Sequence, residues 1–185
     1  MNHTATSKET ILDISLKYAA DDHFRSLNMR DIARACGVSV GCIYSYFPSK
    51  ADLVSAAVEK IWEKIFNISG NNPPSADFRE YIRQLFRGIK YGCEEYPSFF
   101  ISHSANFTNQ EKDQGRRVMN QCFQRIQAGM RESLNSDSKI RKNAFDENFS
   151  QEDFISFIFA NLNLLGTNQA DSCDYLIELI TRLIY

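Results

Sequence analysis

The chain has 185 residues and a formal net charge of −2 at pH 7, and 43% of its residues are hydrophobic. This content favours a globular protein of one domain or two small ones. With 8 Gly, 4 Pro and no alternating Val/Ile/Thr-rich runs, a strand-rich fold is excluded and an all-α protein is expected. Residues 1–66 carry 8 basic and 8 acidic residues, so any nucleic-acid binding there must come from the placement of charges and helix ends.

The first predicted helix begins at a capping box formed by Thr6 and Glu9. In this motif the Thr6 hydroxyl accepts a hydrogen bond from the Glu9 amide, and the Glu9 carboxylate reaches back to the cap. Apolar residues at three- and four-residue spacing then predict a helix that ends near residues 21–23.

Two short helices follow, joined by a tight turn. Asn28 is a suitable N-cap for a helix from Met29 to Cys36, and Gly37 can end that helix in the left-handed conformation. Ser39 is a suitable N-cap for the next helix, from Val40 to Tyr46. The three-residue turn between these helices has the length used in a helix-turn-helix unit.

A fourth helix, capped by Ser49, is predicted from Lys50 to Phe66. The chain then becomes rich in Gly, Pro, Asn and Ser, which indicates a linker. The predicted parts are a helix-turn-helix DNA-binding head at 1–66 with the motif at about 29–46, a linker at 67–76, and a helical ligand-binding and dimerisation body at 77–185.

Broad apolar surfaces distinguish the last two predicted helices, at about 151–168 and 171–184. A helix that is apolar around most of its circumference must be buried on two sides, and one of those sides needs a partner. Two such helices from each of two subunits would form a four-helix bundle, so a homodimer is expected. The residues predicted for its interface are Phe154, Ile158, Leu162, Leu165, Leu176, Ile180 and Leu183.

The head contains a set of residues in a specific order and spacing: Asp31-Ile32-Ala33, Gly37-Val38-Ser39, Gly41, Tyr44, Tyr46-Phe47, Lys50 and Leu53. In this arrangement the sequence resembles the TetR family (TetR/AcrR type) of helix-turn-helix transcriptional repressors. The resemblance is strong over about residues 6–53 and weak beyond them. Two positions depart from it: Val40 stands where the family often has a basic residue, and His23 where it usually has Gly.

The resemblance implies that the helix from Val40 to Tyr46 enters the major groove of DNA, while the starts of the second and fourth helices rest on phosphates. Helix N-termini offer unsatisfied amides to phosphate, and Lys50, Tyr44 and Tyr46 can add polar contacts. Val40 can offer only apolar contact, for example to a thymine methyl. The residues predicted to contact DNA are Asn28, Arg30, Ser39, Val40, Gly41, Cys42, Tyr44, Ser45, Tyr46 and Lys50.

An aromatic-rich set in the body could line a pocket for a small apolar or amphipathic ligand, with a thiol or an imidazole as a polar point. Plain core packing is the alternative for each of these side chains. The predicted pocket residues are Phe86, Cys93, Phe99, Phe100, His103, Phe107, Phe123 and Phe157.

The sequence lacks the residue patterns that metal binding, catalysis or membrane insertion would require. The five cysteines form no CxxC pair and no Cys/His cluster has metal-ligand spacing, so disulfides, a metal and a cofactor are not expected. No Ser/His/Asp, paired-carboxylate or nucleotide-loop pattern indicates an enzyme. The polar first ten residues do not form a secretion signal, and the longest apolar run, 154–166, is too short to cross a bilayer. A cytoplasmic protein without a membrane partner is expected.

Two functions therefore follow. The first is a ligand-responsive, homodimeric transcriptional repressor that binds a palindromic operator in double-stranded DNA. The second is a helical dimeric module that binds a ligand or a protein and does not regulate through DNA. The near-neutral head and Val40 motivate this second hypothesis.

Overall fold

The structure, a computed structural model, describes residues 6–20, 27–66, 74–96 and 109–185. Within these ranges the regular structure consists of eight helices and no strand, which confirms the predicted all-α fold. No helix in this part of the chain is both long and apolar enough to pass through a membrane. The helices are α1 Lys8–Ala20, α2 Met29–Cys36, α3 Val40–Tyr46, α4 Lys50–Phe66, α5 Phe78–Glu95, α6 Asn109–Ser136, α7 Gln151–Thr167 and α8 Asp174–Ile184.

The chain divides into two compact units. The first contains residues 1–63 and 94–121, and the second contains residues 64–93 and 122–185. Each unit thus combines two separate stretches of sequence, whereas the predicted head, linker and body are continuous stretches. Those predicted boundaries remain a prediction.

The N-terminus of α1 differs by one residue from the expected cap. The Ser7 hydroxyl accepts a hydrogen bond from the Thr10 amide at 3.1 Å, and the Ser7 carbonyl accepts one from the Ile11 amide at 3.0 Å. Ser7 is therefore the N-cap, and the predicted capping box of Thr6 and Glu9 is wrong. The Thr6 carbonyl has another partner, because it accepts a hydrogen bond from the Tyr46 hydroxyl at 2.8 Å.

The next three helices begin and end where local chemistry predicts. The Asn28 side chain accepts hydrogen bonds from the first turn of α2, and Gly37 ends that helix with a φ of 68°. The Ser39 hydroxyl accepts from the first turn of α3. At the start of α4, Ser49 and Asp52 form reciprocal hydrogen bonds of 3.0 and 3.1 Å between the amide of each residue and the side chain of the other.

The first unit has a core in which α2 packs against both α1 and α3. Burial of these side chains removes apolar surface from water, which is the main force that holds three short helices together. The core residues from α1 to the start of α4 are Ile11, Leu16, Leu27, Met29, Ile32, Ala33, Ile43, Phe47, Ala51, Leu53 and Val54.

The second unit has a core built around α5, with contributions from α6, α7 and α8. Glycines permit close approach between its elements. A Cβ atom on Gly88 would lie 2.3 Å from the Ile65 carbonyl oxygen, and one on Gly166 would lie 2.1 Å from Cγ2 of Ile89. Because both distances are far below normal contact, no larger residue fits at either position without movement of its neighbour.

A polar cluster in the second unit joins the start of α5 to the end of the chain. Asp137 accepts hydrogen bonds from the Phe78 amide at 2.9 Å, from the Lys139 amide at 3.0 Å and from the Tyr185 hydroxyl. The Arg79 guanidinium lies over the Tyr185 ring, 4.0 Å from its centroid. The Asp137 carboxylate therefore connects α5, the segment after α6 and the residue that follows α8.

The structure corrects the predicted dimer residues. The inward stripes of α7 and α8 lie in the core of the second unit and are not accessible to a second copy: they include Phe154, Ile158, Leu162, Leu176 and Ile180. Of the other two predicted residues, Leu165 is half-buried and Leu183 is exposed. Large apolar side chains that are exposed on these two helices are Phe157, Leu164, Tyr175 and Leu183.

Candidate nucleic-acid interface

Helix α3 is held by one face and exposes the other. Ile43 is fully buried and Phe47, which follows the helix, is 2% exposed. Gly41 and Ser45 are exposed on the other side, and Tyr44 keeps 47% of its surface accessible. Since α3 has only seven residues, these two anchors fix its orientation and leave a short exposed helix of the kind that enters a DNA groove.

The polar groups of α3 differ in the hydrogen bonds that they can still make. The Ser39 oxygen accepts from the Cys42 amide at 3.3 Å, so its hydroxyl hydrogen can still be donated. The Ser45 hydroxyl donates to the Cys42 carbonyl at 2.7 Å, so its oxygen can still accept. Ser39 is thus suited to base acceptors and Ser45 to base donors. Val40 and Cys42 are half-buried beside them.

The predicted phosphate contacts at the start of α2 have different roles. Asn28 accepts from the amides of Arg30 and Asp31 at 3.1 and 3.0 Å, and its own amide donates to the Asp31 carboxylate. Its side chain therefore orders the first turn of α2. Arg30 is exposed in that turn and forms no ion pair with any carboxylate among the described residues. Of these two residues, Arg30 is the better placed to contact a phosphate.

The two tyrosines of α3 also differ. Tyr44 has an exposed side chain whose hydroxyl forms no hydrogen bond within the described part of the chain. The Tyr46 hydroxyl donates to the Thr6 carbonyl, across 40 residues of sequence. Because the only hydrogen of this hydroxyl is already donated within the chain, a donation from Tyr46 to a phosphate would require this hydrogen bond to break, and the predicted contact stays a prediction.

The start of α4 offers a further basic group. Lys50 is the first residue of α4 and is half-buried, directly after the Ser49 cap. Lys50 thus lies next to the α3–α4 turn, and its contact with a phosphate stays a prediction. The geometry as a whole is a helix-turn-helix unit with basic residues at the starts of α2 and α4.

Comparison with known families gives this unit an identity. The model of the bacterial regulatory proteins of the tetR family matches residues 11–57, which span most of α1, all of α2 and α3, and the first half of α4. Over residues 11–57 the chain is therefore similar to the regulatory proteins of the tetR family. This family consists of regulatory proteins, and the match favours the first of the two predicted functions.

Individual relatives extend the similarity beyond the head. The transcriptional repressor KstR of Rhodococcus jostii is 28% identical over 124 residues, which cover 64% of this chain and 58% of KstR. The nucleoid occlusion factor SlmA of Marinobacter nauticus is 22% identical over 142 residues, or 76% of this chain and 72% of SlmA. The chain thus spans less than two thirds of the length of KstR.

The fold as a whole has a counterpart among solved structures. The fatty acid degradation regulator FadR of Bacillus halodurans superposes with a TM-score of 0.63 over 96% of this chain and 97% of that one. At 16% identity this similarity concerns the fold alone. It agrees with a tetR-type arrangement of a helical head followed by a helical body.

The predicted ligand-pocket residues do not form one group. Phe99, Phe100, His103 and Phe107 lie outside the described residues. Phe86 is in the core of the second unit, and Phe123 packs against Phe159 with ring centroids 5.0 Å apart. The Cys93 thiol donates to the Gly166 carbonyl at 3.6 Å.

Phe157 is 52% exposed on α7, so the structure corrects its assignment to an interior pocket. Sequence alone could not separate Phe157 from its buried neighbours, since almost every position in this part of α7 is apolar.

Lys8 is not among the residues that the sequence predicts to lie near the recognition helix. Its ammonium lies 5.5 Å from the centroid of the Phe47 ring, at the end of α3. No local pattern in the sequence indicates that the first turn of α1 lies beside the end of α3, because the contact joins residues far apart in the chain.

Proposed function

We propose that the chain is a cytoplasmic, homodimeric and ligand-responsive transcriptional repressor that binds a palindromic DNA operator. The observation that carries this proposal is the seven-residue α3, anchored by Ile43 and Phe47 and exposed on its opposite face within a tetR-family head. Exposed Ser39 and Ser45 support a contact with base edges, and exposed Tyr44 supports a contact with a phosphate.

Dimerisation supplies the affinity that one head lacks. The described apolar side chains exposed on the last two helices are Phe157 and Leu164 on α7 and Tyr175 and Leu183 on α8. Several large exposed apolar side chains on neighbouring elements are typical of a protein interface. A second copy that covers them would bring two heads to half-sites about 34–36 Å apart, or a multiple of that distance.

The ligand is a small apolar or amphipathic molecule bound in the helical body. Support comes from the aromatic content of the second unit, where Phe86, Phe123 and Phe159 are buried or half-buried. Such a ligand changes DNA binding only if it binds more tightly to one spacing of the two heads than to the other. A thermal-shift screen of apolar and amphipathic compounds tests this part, since a ligand of the folded state raises the melting temperature.

DNA binding is tested with the DNA upstream of the gene for this chain, by fluorescence anisotropy at several salt concentrations. Tyr44→Ala and Lys50→Ala should each weaken binding, and Lys50→Ala should also reduce the salt dependence. Tyr91→Ala is the matched control, because Tyr91 is 48% exposed on α5 and Tyr44 is 47% exposed on α3. Absence of salt-dependent binding to any upstream fragment would favour the module that does not regulate through DNA.

A further inference from the structure

The stretch before α1 is fixed to the end of α3 by two contacts. The Tyr46 hydroxyl donates to the Thr6 carbonyl at 2.8 Å, and the Lys8 ammonium lies 5.5 Å from the centroid of the Phe47 ring. Thr6 and Lys8 flank the Ser7 cap of α1, so both contacts act on one short segment. They hold the first turn of α1 beside the last turn of α3.

This arrangement places an additional cation beside the recognition helix. Lys8 is exposed, and it forms no ion pair with a carboxylate among the described residues. Phe47 separates α3 from the turn that leads to Lys50, the residue already proposed to contact phosphate. Lys8 and Lys50 thus approach the α3–α4 turn from different elements of the chain.

We propose that Lys8 contacts a DNA phosphate and that Tyr46 is the positioning residue that holds Lys8 in place. The proposal rests on the proposed function, since it adds a residue to the same DNA interface. Tyr46 acts on DNA binding through the segment before α1 and not by a hydrogen bond of its own to phosphate. A lysine held in position loses less conformational freedom on binding than one on a mobile segment, so the Tyr46 hydrogen bond strengthens the Lys8 contact.

The first experiment measures the salt dependence of operator binding by the full chain. Each phosphate contact by a lysine contributes a slope of about −0.9 to the plot of log K against log salt concentration. Lys8→Ala should therefore make the slope shallower by about 0.9 per subunit and weaken binding by about eightfold per subunit at 0.1 M salt.

Lys17→Ala is the matched control for this charge. Lys17 is an exposed lysine in the last turn of the same helix, nine residues from Lys8, which corresponds to about 13 Å along α1. Lys17→Ala should leave both the affinity for DNA and the salt slope unchanged, because a charge at that distance is screened at 0.1 M salt. An unchanged slope for Lys8→Ala, with wild-type binding intact, overturns the proposal.

The second experiment separates positioning from direct contact by a double-mutant cycle. Tyr46→Phe removes only the hydroxyl and should weaken binding by up to the same factor as Lys8→Ala. In the Lys8→Ala background it should have no further effect within twofold, because the contact that it positions is already absent. If Tyr46 contacts phosphate itself, the two losses multiply, and that result refutes the positioning role.

The third experiment needs no DNA. In the free protein, Tyr46→Phe should speed amide hydrogen exchange at Thr10 and Ile11, the first amides bonded to the Ser7 cap, whereas Tyr44→Phe should not. Unchanged exchange in Tyr46→Phe contradicts the anchoring role even if DNA binding falls. If the wild-type chain binds no DNA, the proposed function fails, while the exchange experiment still decides whether Tyr46 anchors the start of α1.

Discussion

Phe157 and Ile158 are adjacent on α7, and the structure predicts opposite consequences for their replacement. Phe157 is 52% exposed, whereas Ile158 is fully buried in the core of the second unit. Ile158→Ala removes buried methyl and methylene groups and leaves a cavity, which costs about 2–5 kcal/mol of unfolding free energy. For a chain of this size that corresponds to a decrease in melting temperature of roughly 2–4 °C per kcal/mol.

Phe157→Ala should change the unfolding free energy of the monomer by no more than about 0.5 kcal/mol, as is usual for a surface position. Its effect should appear in the monomer–dimer equilibrium instead. In a symmetric dimer the side chain occurs twice, and an aromatic interface residue contributes more than about 1 kcal/mol per copy. The dimer dissociation constant should therefore rise roughly thirtyfold.

Sedimentation velocity over a concentration series measures the dimer dissociation constant, and urea unfolding at low protein concentration measures the stability of the monomer. Both are needed, because dimerisation itself stabilises the folded state by mass action. The reasoning is refuted if Ile158→Ala dissociates the dimer without loss of monomer stability, or if Phe157→Ala leaves the dissociation constant unchanged.

Two further predictions concern stability. Burial alone would raise the pKa of Asp137, but hydrogen bonds from the Tyr185 hydroxyl and from two backbone amides outweigh it and lower the pKa below the ordinary value of 3.8. The ionised carboxylate therefore stabilises the fold above about pH 4 and loses that effect as the pH falls through its lowered folded-state pKa. The difference in urea unfolding between wild type and Asp137→Asn should thus be largest at pH 7 and shrink progressively below pH 4. Gly166→Ala should lower stability by about 1–3 kcal/mol, because its Cβ would lie 2.1 Å from a methyl carbon of Ile89. Gly115→Ala in α6, with no atom within 4 Å of the new Cβ, should be neutral or slightly stabilising in the same urea assay.

The parts of the fold that depend on local chemistry are those that the sequence predicts well. The observed bounds of α2, α3 and α4 agree with the expected ones because each depends on a cap within three residues or on the glycine that ends α2. The cap of α7 at Ser150 follows the same rule. At α1 two neighbouring hydroxyls could serve as the cap, and a contact with Tyr46, forty residues away, accompanies the choice of Ser7.

The dimer face shows where sequence reasoning fails. In α7 nine of the twelve positions from Phe154 to Leu165 are apolar, so the periodicity does not indicate which stripe faces the core. The stripe through Ile158 and Leu162 packs inside, and the stripe through Phe157 and Leu164 is exposed. Which of the two stripes faces the core depends on where α5 and α8 pack against α7. The sequence pattern of α7 alone does not contain that information.

The near-neutral charge of the head was a reason to consider a function that does not involve DNA. The ion pairs and hydrogen bonds of the head weaken that reason. Two of its acidic side chains are used internally: Asp31 pairs with Arg34 at 3.1 Å, and Asp52 accepts hydrogen bonds from Ser49 at the start of α4. The exposed cations Lys8 and Arg30 have no such partner in the described part of the chain. A count of charges gives equal weight to a carboxylate in a helix cap and to an ammonium group in solvent, although only the ammonium group is available to a phosphate. The groups that face DNA can therefore be positive although the head as a whole is neutral.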